Sequence, residues 1–435
     1  MIVAKFGGSS LANARQFEKV KAIVSENPER AFIVCSAPGK ENPEDTKVTD
    51  LLYLLYDLAS HKISTLELWE TFEDRFQRIA KELSLSFDLD EEFSLIRDKV
   101  SHGASRDYLA SRGEYLTARL MAQYLGYDFV DAKEMIFFKE DGTLDEAKTY
   151  ESVARVLSSH DHAVIPGFYG LCPDGRIKTF SRGGGDLTGA IVARGLGASV
   201  YENWTDVNGF RSADPRLVPE ARSIETITYR ELRELSYMGA NVLHEEAIFP
   251  VVSQGIPIVI RNTNDPEGGS TRIVGEAGPE DVSLPITGVA GKKNFCVITV
   301  EKVQMNRDLG FYRKVLSVLE ANDVPLEHMP SSIDSLSLIV SEQAAQGKLD
   351  KITSAIKTFV APDRIHVEKD IALVAVVGRS MIHRVGASAT LFSALAENGI
   401  NIRMIIQGSS EMNIILGVAN RDYEKAIATI YRAFS

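Results

Sequence analysis

The alternation of short apolar runs with helical stripes predicts an α/β protein: a three-layer α/β/α domain on a mainly parallel sheet, followed by two small α+β units. Two further observations support that division. Two glycine-rich loops each follow a strand and open a helix, and the last third of the chain repeats itself.

Ile2-Val3-Ala4-Lys5-Phe6 reads as a buried strand, and Gly7-Gly8 lets the backbone turn before a helix that starts near Ser9 or Ser10. The first N–H groups of such a helix, its positive dipole end and the Lys5 ammonium would together hold a phosphate. The same residues fit a plain tight turn beside a solvated lysine equally well. Phe17, Val20 and Val24 mark the helix, and Ala31 to Cys35 a second buried strand ending at Ser36-Ala37-Pro38-Gly39-Lys40. After the polar loop Glu41 to Lys47 a helical stretch runs to about Leu125, with Ser111-Arg112-Gly113-Glu114 just before the stripe Leu116, Leu120, Tyr124. Tyr127 to Val130 and Ala163 to Phe168 supply further strands. Thr179-Phe180-Ser181-Arg182-Gly183-Gly184-Gly185-Asp186 is the second glycine loop, and a packed helix follows from Leu187 to Leu196. Tyr201 to Gly209 is a strand running into a turn-rich loop through Ala213-Asp214-Pro215-Arg216. Helices over 229–238 and 243–253 and a strand over 257–262 complete the region, and 265–284, rich in Gly, Pro and acidic residues, reads as exit loop and linker.

Past the linker, Gly310-Phe311-Tyr312 through Leu319, Asn322, Val324 and Leu326 recurs 76 residues later as Gly386-Ala387-Ser388 through Leu395, Asn398, Ile400 and Ile402. Each copy has a leading strand (295–300; 372–377), a helix, two strands joined by a short loop, and a second helix. The exposed sheet edges of such units favour pairing with each other or with another subunit.

In a chain of 435 residues, 60 Asp and Glu outweigh 48 Lys and Arg, a formal charge of −12 that argues against a nucleic-acid or acidic-membrane surface. The three cysteines, Cys35, Cys172 and Cys296, have neither metal-ligand spacing nor disulfide density, so reduced thiols and a cytoplasmic location are expected. The N-terminus enters a strand at once, with no signal peptide, and no apolar run reaches the ~20 residues of a membrane span. No Gly-x-x-x-x-Gly-Lys-Ser/Thr occurs, no strand leads into Gly-x-Gly-x-x-Gly, and the protein-kinase signatures are missing. Any phosphate site therefore uses another scaffold. Two glycine loops would suit two anionic groups meeting at the carboxyl ends of a parallel sheet.

Lys5-Phe6-Gly7-Gly8-Ser9-Ser10, Ser111 to Glu114, Arg182 to Asp186, Trp204 to Gly209 with Ala213 to Arg216, and the tandem C-terminal units occur in the order found in aspartate kinases. The sequence closely resembles the monofunctional members of that group, amino acid kinase family enzymes with paired ferredoxin-like ACT regulatory domains. The resemblance implies a catalytic domain over 1–283 and ACT domains over 284–369 and 370–435. It implies transfer of the ATP γ-phosphoryl group to the side-chain carboxylate of L-aspartate, the first step towards lysine, threonine and methionine. A carboxylate of pKa near ~4 is ionised at neutral pH, so this chemistry needs no general base, only cations, backbone N–H groups and Mg²⁺ to neutralise the transferring group.

By the same resemblance the catalytic group is Lys5, Gly7, Gly8 and Asp186, the last orienting the lysine. Ser36, Thr49, Glu114, Arg182 and Gly183 fall at substrate positions, with Arg182 on the α-carboxylate and Glu114 on the ammonium. Lys5, Gly8, Ser9, Thr205, Asp206, Phe210, Arg211, Asp214, Arg216 and Asn241 fall where the family holds the nucleotide. Mg²⁺ would be held mainly through the nucleotide phosphates, with no metal ligands assigned. Met305, Asp308, Phe311, Tyr312, Leu326, Glu327, Ser331 and Ser332 fall where lysine-sensitive relatives hold their effector, although Phe311 and Leu326 also read as core. The effector could be lysine, threonine or both. A homodimer or larger assembly through the ACT domains is implied, with Gly408 to Glu411 at the dimer contact and no nucleic-acid or membrane partner. A fused homoserine dehydrogenase is not expected, because the chain stops just after the second unit.

Two departures bear on the nucleotide side. The family loop ending Gly-Gly-Ser-Asp is Gly184-Gly185-Asp186 here, and the family's Gly-Ala-Lys-Val-Leu-His reads Gly239-Ala240-Asn241-Val242-Leu243-His244. His244 is followed by Glu245-Glu246 where proline is common, and reads as a structural helix residue. These changes are the only support for an alternative, an ACT-type amino-acid-sensing regulator with an inactive kinase half. A related kinase acting on glutamate, acetylglutamate or a nucleotide is disfavoured by Ser111 to Glu114 and by the ACT pair.

Overall fold

The computed structural model describes residues 1–181, 183–240, 243, 245–276, 285–408 and 412–435. The described residues form two compact units. One holds 1–210, 223–232 and the described part of 241–277; the other holds 211–222, 233–240 and the described part of 278–435.

In chain order the elements up to the linker are β1 (Ile2–Phe6), α1 (Ala14–Glu26), β2 (Arg30–Cys35), α2 (Val48–Ser60), α3 (Leu66–Glu82), α4 (Leu89–Ser101), α5 (Arg106–Leu125), β3 (Asp128–Phe129), α6 (Glu146–Leu157), β4 (Ala163–Pro166), β5 (Tyr169–Leu171), β6 (Ile177–Thr179), α7 (Gly184–Leu196), β7 (Val200–Thr205), β8 (Thr226–Thr228), α8 (Tyr229–Tyr237), α9 (Phe249–Val252), β9 (Ile258–Asn262) and β10 (Thr271–Val274). Eight of the strands make one sheet in the order β3-β4-β2-β1-β7-β9-β10-β8. All neighbours are parallel except β9 and β10. The fold class is the one the alternation predicts. Strand alternation divides β1 between two faces. Ala4 and Phe6 enter a core built with α1 to α5, whereas Lys5 meets Asp186 of α7.

Four local differences have identifiable causes. The chain after Gly8 makes only a 3-10 turn (Gly8–Leu11), and α1 begins at Ala14, where the Asn13 side chain accepts the Gln16 N–H. The helix expected over 243–253 is in its described part a 3-10 turn (Glu245–Ile248) followed by α9, because Pro250 cannot donate a helical hydrogen bond and sits at the start of the second piece. The hairpin β5–β6 was hidden by its three-residue strands, although Pro173-Asp174-Gly175 is itself a turn signal. Residues 265–284 are not all linker: β10 lies inside them, pairing with β9 and β8, with Ile273 fully buried. Residues 277–284 lie outside the described residues.

The second unit adds β11 (Gly288–Glu301), α10 (Phe311–Glu320), β12 (Ser335–Ser341), α11 (Glu342–Ala345), α12 (Leu349–Val360), β13 (Arg364–Val377), α13 (Ala387–Glu397), β14 (Met404–Ile406), β15 (Asn413–Ala419) and α14 (Tyr423–Ala433). Its five strands form one antiparallel sheet, β12-β11-β13-β15-β14. The two copies of the repeat share their longest strands: β11 and β13 pair from Glu301 with Arg364 to Gly288 with Val377, and β13 runs through position 369/370. Each copy keeps its own core, one around Phe311 and Val315, the other around Leu391 and Ile427.

Glu202 of β7 is buried and pairs with buried Arg30 through Nε (2.7 Å) and Nη2 (3.2 Å), while accepting the Trp204 indole N–H at 2.8 Å. Arg30→Met leaves that carboxylate without its cation. Denaturant unfolding should show a loss of about 3–5 kcal/mol.

Candidate active site

The loops at the carboxyl ends of β1, β2, β4 and β7 enclose a cleft of about 850 Å³ in the first unit. Lys5, Gly7, Gly8, Ser9, Ser36, Thr49, Glu114, Gly183, Asp186, Thr205 and Asp206 all line it. Segments separated by as many as 201 positions, Lys5 and Asp206, are thus brought together by strand order. The two glycine loops face the same space, as expected for a site at the end of a parallel sheet.

Lys5 is 7% exposed, and its Nζ lies 2.5 Å from Asp186 Oδ1. Asp186 is in the first turn of α7, which begins at Gly184 after Gly183 in the left-handed region (φ 75°). The α7 N-terminus therefore points its unpaired N–H groups and positive dipole end at the cleft, beside an ammonium already charge-balanced by Asp186. Across the cleft mouth the Gly39 N–H donates to the Gly8 carbonyl at 2.8 Å. A Cβ on Gly39 would lie 2.6 Å from the Gly8 carbonyl carbon, so the two backbones touch only because side chains are absent.

Glu114 enters from α5. Gly113 lets that helix close on Ala37 and Val48, since a Cβ there would sit 2.8 Å from Ala37 Cβ. Burial pushes the Glu114 carboxyl up to about 8, partly opposed by a hydrogen bond from the Ala37 backbone N–H and by the Arg112 guanidinium. Its Oε2 is buried and has no hydrogen-bond partner among the described residues. A buried carboxylate with an open oxygen on a cleft is suited to a cationic ligand group. Arg112 is itself caged, its guanidinium 4.6 Å from the Tyr108 ring centre and 4.5 Å from that of Tyr115.

Other expected residues lie elsewhere. Phe210 is 1% exposed, a core residue whose N–H donates to Thr271 Oγ1, and it does not line the cleft. Arg211, Asp214 and Arg216 belong to the second unit. Arg211 donates to the Ala221 carbonyl, and Arg216 pairs with Asp214 at 2.7 Å, hydrogen bonds that hold the Asp214 carboxyl below the usual range. Arg182, Asn241, His244 and Ser409 to Glu411 lie outside the described residues. Of the effector positions, Met305 and Phe311 are fully buried in the core that Tyr312 and Leu326 flank. Asp308 pairs with Lys302 (2.7 Å) and Lys314 (3.5 Å), and Glu327 accepts the Tyr237 hydroxyl at 2.5 Å. Ser331 and Ser332 are exposed in the turn before β12.

Sequence reading missed several lining residues: Lys40, Lys47, Tyr53, Phe168 and Ser181 among them. The two lysines sit on the loop before α2, which Arg75 of α3 holds by donating to the Gly39 carbonyl at 3.0 Å and pairing with Asp45. Two lysines flanking a strand-end loop were a signal available in the sequence. Asn203 was missed as well: Lys5 Nζ lies 3.5 Å from its Oδ1, and its Nδ2 donates to Asp186 Oδ1 at 2.9 Å.

Two carboxylates of the cleft, Asp186 and Asp206, suit Mg²⁺ carried on phosphate groups. Among the described residues no cluster of three or more His, Cys, Asp or Glu forms a metal cage, and no helix is long and apolar enough to cross a membrane.

The amino acid kinase family profile matches residues 1–262, and an ACT domain profile matches 374–434. Over all of its length the chain is 39% identical to aspartokinase 3 of Bacillus subtilis, covering 98% of that protein. The crystal structure of the Clostridium acetobutylicum aspartate kinase matches with a TM-score of 0.92 and 47% identity, covering 100% of this chain and 99% of that one. E. coli aspartokinase III matches at 25% identity over 100% of this chain and 99% of that one, with TM-scores of 0.77 in complex with aspartate and ADP (R-state) and 0.73 with lysine and aspartate (T-state).

The raised Glu114 pKa makes a stability prediction free of any ligand. The folded chain holds this proton more tightly than the unfolded chain, so below about pH 4.5 the group contributes nothing, and stability falls as pH rises to about 8. Glu114→Gln removes that loss. Its melting temperature should match the parent near pH 4.5 and exceed it by a few degrees above pH 8.

Proposed function

The chain belongs to the amino acid kinase family, in its aspartate kinase branch, and from that premise we propose that it transfers the γ-phosphoryl group of ATP to the β-carboxylate of L-aspartate. The products are 4-phospho-L-aspartate and ADP, at the entry to lysine, threonine and methionine synthesis. The observation that carries the reading is one cleft holding a buried lysine at a helix N-terminus and, on a separate wall, a buried carboxylate with an open oxygen.

Glu114 receives the aspartate ammonium, and Arg182 the α-carboxylate through its guanidinium fork. Ser36, Thr49 and Gly183 line the substrate end. The β-carboxylate arrives ionised and attacks without a base, so the barrier is electrostatic. Lys5 and the N–H groups of Gly8 and the start of α7 neutralise charge on the transferring group, Gly7 holds the turn with its own N–H on the Trp204 carbonyl, and Asp186 keeps Lys5 aimed. Ser9, Thr205 and Asp206 take the nucleotide side, with Phe210, Arg211, Asp214, Arg216 and Asn241 assigned there by resemblance. Mg²⁺, when bound to the phosphates beside Asp186 or Asp206, offsets phosphate charge.

The catalytic domain spans 1–283 and ACT domains span 284–369 and 370–435, the first receiving an amino-acid effector with a cationic side chain at Asp308 or Glu327. E. coli aspartokinase III binds lysine in its T-state, which supports feedback of this kind, with a homodimer formed through the ACT units in the cytoplasm.

Lys5→Ala should lower aspartyl-phosphate formation, trapped as hydroxamate, by about 10²–10³-fold with the fold intact; near-normal turnover would remove Lys5 from the reaction. A substrate panel that favoured glutamate or acetylglutamate would replace aspartate as acceptor. Glu114 is largely protonated at pH 7 in the free protein, since its pKa is about 8, and an ammonium beside it favours ionisation. Aspartate binding at pH 7 should therefore release close to one proton per site, a release that fades above about pH 9. Calorimetry in buffers of different ionisation heat measures it, and Glu114→Gln should abolish it while raising the aspartate KM at least tenfold, roughly the loss of one charged hydrogen bond.

A further inference from the structure

Strand β7 carries two residues on one face that both bind Asp186. Tyr201 and Asn203 are two positions apart and so point the same way. The Tyr201 hydroxyl donates to the Asp186 backbone carbonyl at 3.0 Å, and Asn203 Nδ2 donates to the Asp186 carboxylate at 2.9 Å. Space for the first contact comes from Gly189, where a Cβ would lie 2.5 Å from the Tyr201 hydroxyl. Parallel pairing sets Asn203 directly opposite Lys5, whose ammonium lies 3.5 Å from Asn203 Oδ1. The amide orientation follows from chemistry: its oxygen must face the ammonium and its NH₂ the carboxylate. Asn203 is 3% exposed and bridges both members of the ion pair without adding charge.

We propose that Asn203 is a positioning residue for phosphoryl transfer, which holds Asp186 as an acceptor and gives Lys5 a neutral second partner, so that the ammonium can turn to phosphate without leaving a carboxylate unsupported. The proposal rests on the phosphoryl-transfer reading of Lys5. Without the Asn203 donor, Asp186 would bind Lys5 as its single strong partner and withhold it from the nucleotide. A second carboxylate at the same place would withhold it further, and the two acids would share a proton at falling pH.

The test uses the full chain with MgATP and aspartate, reading ADP release by a coupled assay, for Asn203→Ala, Asn203→Asp and Lys5→Ala. Asn203→Ala should lower kcat about tenfold or more, the effect of one charged hydrogen bond, with the aspartate KM changed less than threefold. Asn203→Asp should lose more at pH 8 and recover relative to the parent by at least threefold at pH 6, where the introduced carboxyl is protonated and donates as the amide does. A residue that merely supported the fold would lower melting temperature in both variants and leave this pH ratio flat. If both Asn203 variants keep parental kcat, or the ratio of Asn203→Asp to the parent does not change with pH, the role of Asn203 is refuted while an inactive Lys5→Ala leaves the reading of the cleft standing. An active Lys5→Ala overturns both.

Discussion

The parallel pairing of β1 with β7 is the constraint on which the cleft depends. Its register places Ala4 against Glu202, Lys5 against Asn203 and Phe6 against Trp204. Each of those three β7 residues then fixes a different part of the site. Glu202 anchors Arg30 and the Trp204 indole, Asn203 lies between Lys5 and Asp186, and the Trp204 carbonyl accepts the Gly7 N–H at 2.9 Å. Phe6 and Trp204 stack at 5.8 Å. A slip of one residue would turn Lys5 towards the α1 to α5 core and Phe6 towards the cleft, so register and function are set together.

The two ends of the cleft treat charge differently. At the glycine loops the cation is balanced in advance by Asp186, which lowers the cost of burying Lys5 and leaves it hydrogen-bonded before any phosphate arrives. On the α5 wall Glu114 keeps an open, buried oxygen, and the protein stores the cost as a raised carboxyl pKa. A ligand bearing an ammonium offsets that cost, and one lacking it does not, so the same burial that weakens the empty protein sharpens its choice of acceptor. The Arg112 guanidinium, held between Tyr108 and Tyr115, partly opposes that rise with a fixed positive field close to Glu114.

Much of this was legible in the residues. The strand alternation placed β1, β2, β4, β7 and β9 within a few positions, and the glycine loops with Ser111 to Glu114 pointed to residues that line one cleft. Short pieces escaped because their signals are weak: β10 has four residues inside a Gly-rich segment, and β5 and β6 have three each. The repeat was visible, but its fusion into one sheet was not, since length and apolar pattern cannot say with which copy a long strand pairs. Asn203 carried no motif, and only strand register reveals it. Phe210 is assigned to the nucleotide by resemblance alone, while its side chain lies in the core and does not line the cleft.

The most direct test of the account is a crystal structure of this chain with aspartate and ADP. The account predicts the aspartate ammonium within hydrogen-bond distance of Glu114 and its β-carboxylate facing the Gly7-Gly8 and Gly184-Gly185 loops, with Lys5 Nζ on the nucleotide side of Asp186. Aspartate bound away from Glu114, or ADP phosphates remote from Lys5 and the α7 N-terminus, would contradict it.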